Sequence, residues 1–203
     1  MALLHRATIT PSKLEIVEAW APTQPWCPGG GVEQVGAYRF DDPAGEVGIE
    51  ALIVQAPDGP ALQVPVTYRG APLEGGEPWL IGTMTHSVLG ERWVYDAAGD
   101  PVAVAVFATA IRTGGVQAEL EVEIDGVMVR RDPTATVRGS GSASDPVPVP
   151  TAVRTRSDER STTVEADGFE LTLRRVLDDA PADGETLVGS WSGSGPTVLA
   201  SLA

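Results

Sequence analysis

The sequence predicts an α+β chain in which strands dominate. Three observations carry this reading. Glycine (23 residues) and proline (17 residues) are abundant, so turns must be frequent. The apolar runs are short and rich in valine, which suits pleated, half-buried segments. Two segments carry helix-start signals, and the expected arrangement is an antiparallel sheet with helices near 11–20 and 101–112, followed by a small β unit.

Taken in order, Leu3–Ile9 reads as a first strand. Thr10-Pro11-Ser12 then starts a helix, with Thr10 as the N-cap and Pro11 at the first helical position. Leu14 and Val17, joined by Ile16 and Trp20, give that helix an apolar stripe, and Pro22 and Pro25 stop it. Trp26-Cys27-Pro28-Gly29-Gly30-Gly31 is loop. Val35–Phe40 is a strand leading to the Asp41-Asp42-Pro43-Ala44-Gly45 turn. Gly48–Gln55 and Ala61–Tyr68 flank Pro57-Asp58-Gly59, and an antiparallel hairpin follows. Trp79–His86 is the next strand.

Gly99-Asp100-Pro101 is a second helix start, with Asp100 as cap and Pro101 at the first position. Val102–Ile111 suits a strand by propensity, but the cap and the closing Gly114-Gly115 favour a helix. Val116–Ile124 alternates apolar and polar residues, as a half-buried strand with an acidic wet face does. Asp125-Gly126 is a tight-turn signal that returns the chain through Val127–Arg131. The low-complexity stretch 139–150, GSGSASDPVPVP, reads as a flexible loop. Strands resume at Ser161–Glu165, Phe169–Val176, Thr186–Trp191 and Thr197–Leu202.

Charge narrows the function. Among 203 residues, 14 are basic and 28 acidic, a formal charge of −14, and neither half of the chain is basic. A phosphate-tracking nucleic-acid surface and docking on an anionic membrane are both disfavoured. No apolar run approaches the ~20 residues that span a bilayer. The start lacks a secretory pattern and the single Cys27 cannot form an internal disulfide, which together favour the cytoplasm.

Chemical motifs are sparse. His5 and His86 are the two histidines, and His86, beside Ser87, is the better functional candidate. Metal-ligand spacings, a G-x-S-x-G elbow and complete phosphate-binding loops are absent, so neither metal nor cofactor is expected. Asp96 and Asp100 with His86 are conceivable acid–base groups, although no triad or carboxylate pair supports an enzyme. A sugar-binding reading uses Trp26, Trp79, Trp93, Tyr95 and His86, with Trp20, as stacking and polar surfaces on a concave sheet face. Those rings serve equally as core, since eleven aromatics must fill the whole interior.

Several segments resemble a known family. HRATITPSKLEIVEAWAPTQPW, VGAYRFDDPAGEVGIEALIV, QVPVTYRGAPL and LIGTMTHSVLGERWVYDAAGDPV are similar to the maltokinase N-terminal cap-like proteins of actinobacteria, often mislabelled as 1,4-α-glucan branching proteins. The resemblance covers about residues 3–115 and implies a curved antiparallel sheet with a helix, described as cystatin-like, over residues 1–115. It implies for residues 116–203 a β-rich unit resembling a truncated kinase N-lobe, with ERSTTVEADGFELTLRRVL as its first hairpin. On that alignment the nucleotide-contacting lysine position holds Thr172, which cannot grip phosphates by charge. The same segment also fits an unrelated β unit, because strands of this pattern are common. Thirteen of the fourteen basic residues are arginines, and Lys13, in the first helix, is the one lysine.

The resemblance implies that the hinge, catalytic loop and metal-binding Asp of a kinase would lie past Ala203. A glucan-branching barrel of ~250 residues does not fit this length either. The expected function is therefore a non-catalytic partner or regulator in maltose, trehalose and α-glucan metabolism. Its partner would be a sugar kinase or glucan enzyme, and the alternative is a small-sugar-binding module.

Overall fold

The computed structural model describes residues 2–4, 7–57, 59–124 and 127–203. His5 and Arg6, Asp58 of the first hairpin turn and the Asp125-Gly126 turn lie outside the described residues. The order is β1 (Ala2–Leu4), β2 (Ile9–Thr10), α1 (Lys13–Trp20), β3 (Glu33–Asp41), β4 (Gly48–Gln55), β5 (Ala61–Arg69), β6 (Leu80–His86), β7 (Gly90–Asp96) and α2 (Pro101–Thr113). There follow β8 (Leu120–Ile124), β9 (Val127–Arg131), β10 (Ala135–Gly139), β11 (Arg154–Ser157), β12 (Ser161–Ala166), β13 (Phe169–Arg174), β14 (Val176–Leu177), β15 (Glu185–Trp191) and β16 (Thr197–Leu202).

Among the described residues the β-dominant fold is built from three sheets. A curled antiparallel half-barrel has the order β2-β6-β7-β5-β4-β3. A second antiparallel sheet has the order β10-β15-β16-β13-β12-β11, and β1, β8 and β9 form a small third one. Strand β5 forks: Val66–Arg69 pair with β7, whereas Ala61 and Leu62 pair with β14. The second half of the chain thereby adds a strand to the first sheet.

Strands β4 and β5 are buried on both faces, which explains why their sequences run apolar almost without alternation. On one face Leu52, Val54, Val64, Val66 and Val94 pack beneath Ile16 and Val17 of α1 and beneath Trp26. On the other, Tyr38, Phe40, Ile49 and Ile53 meet Phe107 and Ile111 of α2 and Leu171, Leu173, Leu187 and Leu199 of the second sheet. Tyr38, Phe40 and Phe107 interlock edge to face, with centroids 5.3–6.4 Å apart. Residues 116–203 thus share a core with residues 1–115.

The hairpin β4–β5 and the helix 101–112 form where expected. Asp100 caps α2 through the Val102 N–H at 3.1 Å, and Gly114 ends it in the left-handed conformation, φ 68°. Helix α1 starts later than expected. Ser12 is its N-cap, with a reciprocal capping box to Glu15, while Thr10 belongs to β2 and pairs with Thr85. The predicted strand over 3–9 is two short pieces, β1 parallel to β8 and β2 antiparallel to β6.

The strand expected over 116–124 is regular only from Leu120. Its first residues cross other strands instead, with Val116 bridged to Arg138 and the Ala118 N–H bonded to the Arg39 carbonyl at 2.7 Å. Strands β7, β10 and β11 were not anticipated. The flexible loop expected over 139–150 is held along α2: Gly141 N–H reaches the Ile111 carbonyl, Ala143 N–H the Arg112 carbonyl, and Val147 N–H the Thr109 hydroxyl, at 2.8–2.9 Å. The first two bonds satisfy the orphan Ile111 and Arg112 carbonyls of the helix C-terminus, so a low-complexity sequence acts here as a capping strap.

Candidate functional site

The segment Asp96-Ala97-Ala98-Gly99-Asp100 joins β7 to α2 and holds two carboxylates with double duties. Asp96 accepts from the Ala98 N–H and, with both oxygens, from Arg175 Nη2 at 2.6 and 2.7 Å. Arg175 is fully buried, donates Nε to Thr162 Oγ1 at 2.9 Å, and lies 5.2 Å from the Trp26 ring centroid. It sits at the fork of β5, between β13 and β14, so its charge is neutralised where the two halves of the chain meet. Asp100 caps α2 and takes a two-point grip from Arg69 Nε and Nη2, both at 2.7 Å. The hydrogen bond to Asp100 holds the Arg69 guanidinium above its ordinary pKa.

Nearby, the buried amide of Gln63 stitches the sheets. It accepts from Tyr38 Oη at 2.6 Å and donates to the Arg174 and Leu199 carbonyls at 2.8 and 2.9 Å. Burial pushes the Tyr38 hydroxyl well above its usual range, so it remains a donor. A third polar knot joins Glu50 to Lys13 Nζ at 2.5 Å and to Tyr68 Oη at 3.0 Å. Burial pushes the Glu50 carboxyl up, but the charges of Lys13 and Arg39 and the hydrogen bonds from Lys13 and Tyr68 outweigh it and hold the group below its ordinary pKa. The one lysine of the chain therefore stands at the start of α1, bound to a carboxylate in the middle of β4.

The structure scatters the residues singled out from sequence. Trp26 is buried against Trp20, with centroids 5.7 Å apart. Tyr95 is buried and its hydroxyl accepts the Leu73 N–H at 2.8 Å. Trp79 donates its indole N–H to Thr155 Oγ1 at 2.9 Å and lies where a side chain on Gly99 would be, which is why that residue is glycine. Trp93, half-buried, is in register with Arg69 and Thr83. His86 ends β6, where Nδ1 accepts the Val88 and Leu89 N–H groups at 3.2 and 3.1 Å. It pairs with Gly90, the first residue of β7, whereas Asp96 is the last, about 20 Å away along the strand. Thr172 is half-buried in β13 between Thr163 and Ser201. Among the described residues no group of three or more His, Cys, Asp or Glu side chains is placed to hold a metal ion. No helix of the described residues is long and apolar enough to cross a membrane.

A groove lies elsewhere. It measures about 590 Å³ and runs along the outer side of α2, floored by Val102, Ala105, Val106 and Thr109. The turn after β3 lines it together with residues 116–119, which the Ala118–Arg39 hydrogen bond holds beside the end of β3, and residues 146–149 of the strap line it as well. The helical spacing of Val102, Val106, Thr109 and Thr113 was visible in the sequence, but the walls required knowing that 139–150 folds back on α2.

Most of the stretch that builds the curled sheet has a known counterpart. Residues 20–100 match the family model of the maltokinase N-terminal cap domain. Over these residues the chain is similar to the maltokinase N-terminal cap domain. The matched residues run from the end of α1 to the Asp100 cap, so they include β3–β7, Glu50, Gln63 and both carboxylates of the β7–α2 junction. No curated protein matches the chain.

Proposed function

We propose that this chain is a non-catalytic, cap-bearing protein of the cytoplasm that acts by contact with a partner enzyme, a sugar kinase or an α-glucan enzyme of maltose and trehalose metabolism. The cap match over residues 20–100 supports a maltokinase-related role. In this reading the β12–β13 and β15–β16 hairpins stand for the first strands of a kinase-like N-lobe, and the curled sheet with α1 for a cystatin-like cap.

The observation that carries the proposal is the commitment of its charged groups. The single lysine is bound to Glu50, which also accepts from the Tyr68 hydroxyl, and the strand position aligned with the nucleotide lysine is Thr172. Asp96 and Asp100 are each tied to an arginine and to a helical N-terminus, roles that a proton-shuttling carboxylate could not keep. Calorimetric titration of the chain into a maltose-phosphorylating kinase tests the proposal. Saturable one-to-one binding is expected, and no heat at micromolar concentrations of either protein contradicts it.

A further inference from the structure

We propose that the groove along the outer side of α2 docks an apolar helix with basic flanks, supplied by the partner protein. The proposal rests on the partner reading above and names its surface. The floor is a helical ridge, since Val102, Val106, Thr109 and Thr113 follow one another at i, i+4, i+7 and i+11 and are all half-exposed. Such a ridge between raised walls accepts the side chains of another helix.

The polar lining decides between a sugar and a peptide. A volume of about 590 Å³ would hold a small ligand, but a sugar needs convergent hydrogen-bonding groups. Here the polar groups already have partners. Thr109 Oγ1 accepts from Val147, Thr113 Oγ1 donates to the Thr109 carbonyl, and Gln117 Oε1 accepts from Val137. Asp42 receives the Ala44, Glu46 and Val47 N–H groups. What is offered outward is aliphatic: Val116 and Val149, on the walls, are 47% and 56% exposed.

Charge selects the flanks. Asp41, Asp42 and Glu119 all line the groove, in a chain of formal charge −14. Glu119 meets Arg130 in a pair exposed on both sides, an interaction weak enough to exchange for an incoming cation. Basic residues flanking an apolar helix are thus attracted and acidic ones repelled.

The full chain, titrated by NMR with a synthetic helix-forming peptide that has leucines along one face and flanking lysines, tests this. Shifts confined to α2, 41–44, 116–119 and 146–149 are expected, with binding at least tenfold weaker for the same peptide flanked by glutamates. Val149→Glu, at an exposed position that leaves the melting temperature unchanged, is expected to weaken binding at least tenfold. Equal affinity for both peptides, shifts elsewhere, or no binding at millimolar peptide overturns the proposal. So does a concentration-dependent dimer that Val149→Glu abolishes, which would make the occupant a second copy. A kinase that binds Val149→Glu and the natural chain alike overturns the groove and leaves the partner reading intact. Discrimination between the peptides without kinase binding does the reverse.

Discussion

The curled cap sheet and the second sheet differ in what covers them. In the cap sheet, β4 and β5 are buried on both faces, under α1 on one side and under α2 and the second sheet on the other. In the second sheet, β10 alternates buried and exposed residues strictly, and β12 and β13 follow the same period with one wetter face. The cap sheet is therefore a middle layer, and the second sheet is a lid that turns one of its own faces to water. A middle layer cannot keep its fold when an outer layer is removed.

The largest test of that difference removes the lid. A chain ending at residue 115 would expose the Tyr38, Ile49 and Ile53 face, and it should show no cooperative thermal transition by circular dichroism. A sharp melt of that fragment, close to the melt of the full chain, would make the cap an independent unit.

Next comes the buried link between layers. Arg175→Ala leaves Asp96 charged and without its partner, and should cost about 3–5 kcal/mol in urea unfolding. Replacing the pair together, Asp96→Leu with Arg175→Met, should recover most of that loss, since well-packed apolar groups often substitute for a buried ion pair. If the double variant is as unstable as the single one, the pair matters for more than charge balance.

The Glu50 knot adds a pH dependence confined to the cap. Its carboxyl titrates below the unfolded value, so its contribution is present above that value and is lost as pH falls through the lower, folded one. The urea midpoint should fall on the acid side of about pH 4.3, and Glu50→Gln should flatten that part of the profile. An unchanged profile would remove Glu50 from the account of cap stability. The smallest expected effect is at the start of α1, where Ser12→Ala should cost about 1 kcal/mol in the same assay by removing the capping box.

The sequence was most readable where local signals act alone. The β4–β5 hairpin and α2 were legible because turn residues, a capping Asp and a terminal Gly all agreed. The start of α1 was misplaced by two residues although the information was present: Ser12-Lys13-Leu14-Glu15 spells a capping box, which outweighs a threonine before proline. Strand β11, Arg-Thr-Arg-Ser, has no apolar pattern and becomes a strand by pairing with β12. The strap over 139–150 shows that Gly- and Ser-rich composition follows from close packing as well as from mobility.

The candidate site was less legible. Asp96 and Arg175 lie 79 residues apart, and nothing in either local context announces the other. The aromatic residues that suggested a sugar surface went largely to the core and to hydrogen bonds with the second sheet, because a middle layer needs large side chains on both faces. The groove was half-visible, through the stripe on α2 but not its walls.

The central proposal is that this chain works by contact and performs no phosphoryl transfer itself. The most direct test incubates the purified chain with ATP, magnesium and maltose and measures sugar phosphate by mass spectrometry, with the chain alone and with a maltose-phosphorylating kinase added. No product from the chain alone, together with a changed rate or substrate affinity of the kinase in its presence, is the predicted result. Sugar phosphate formed by the chain alone would contradict the account.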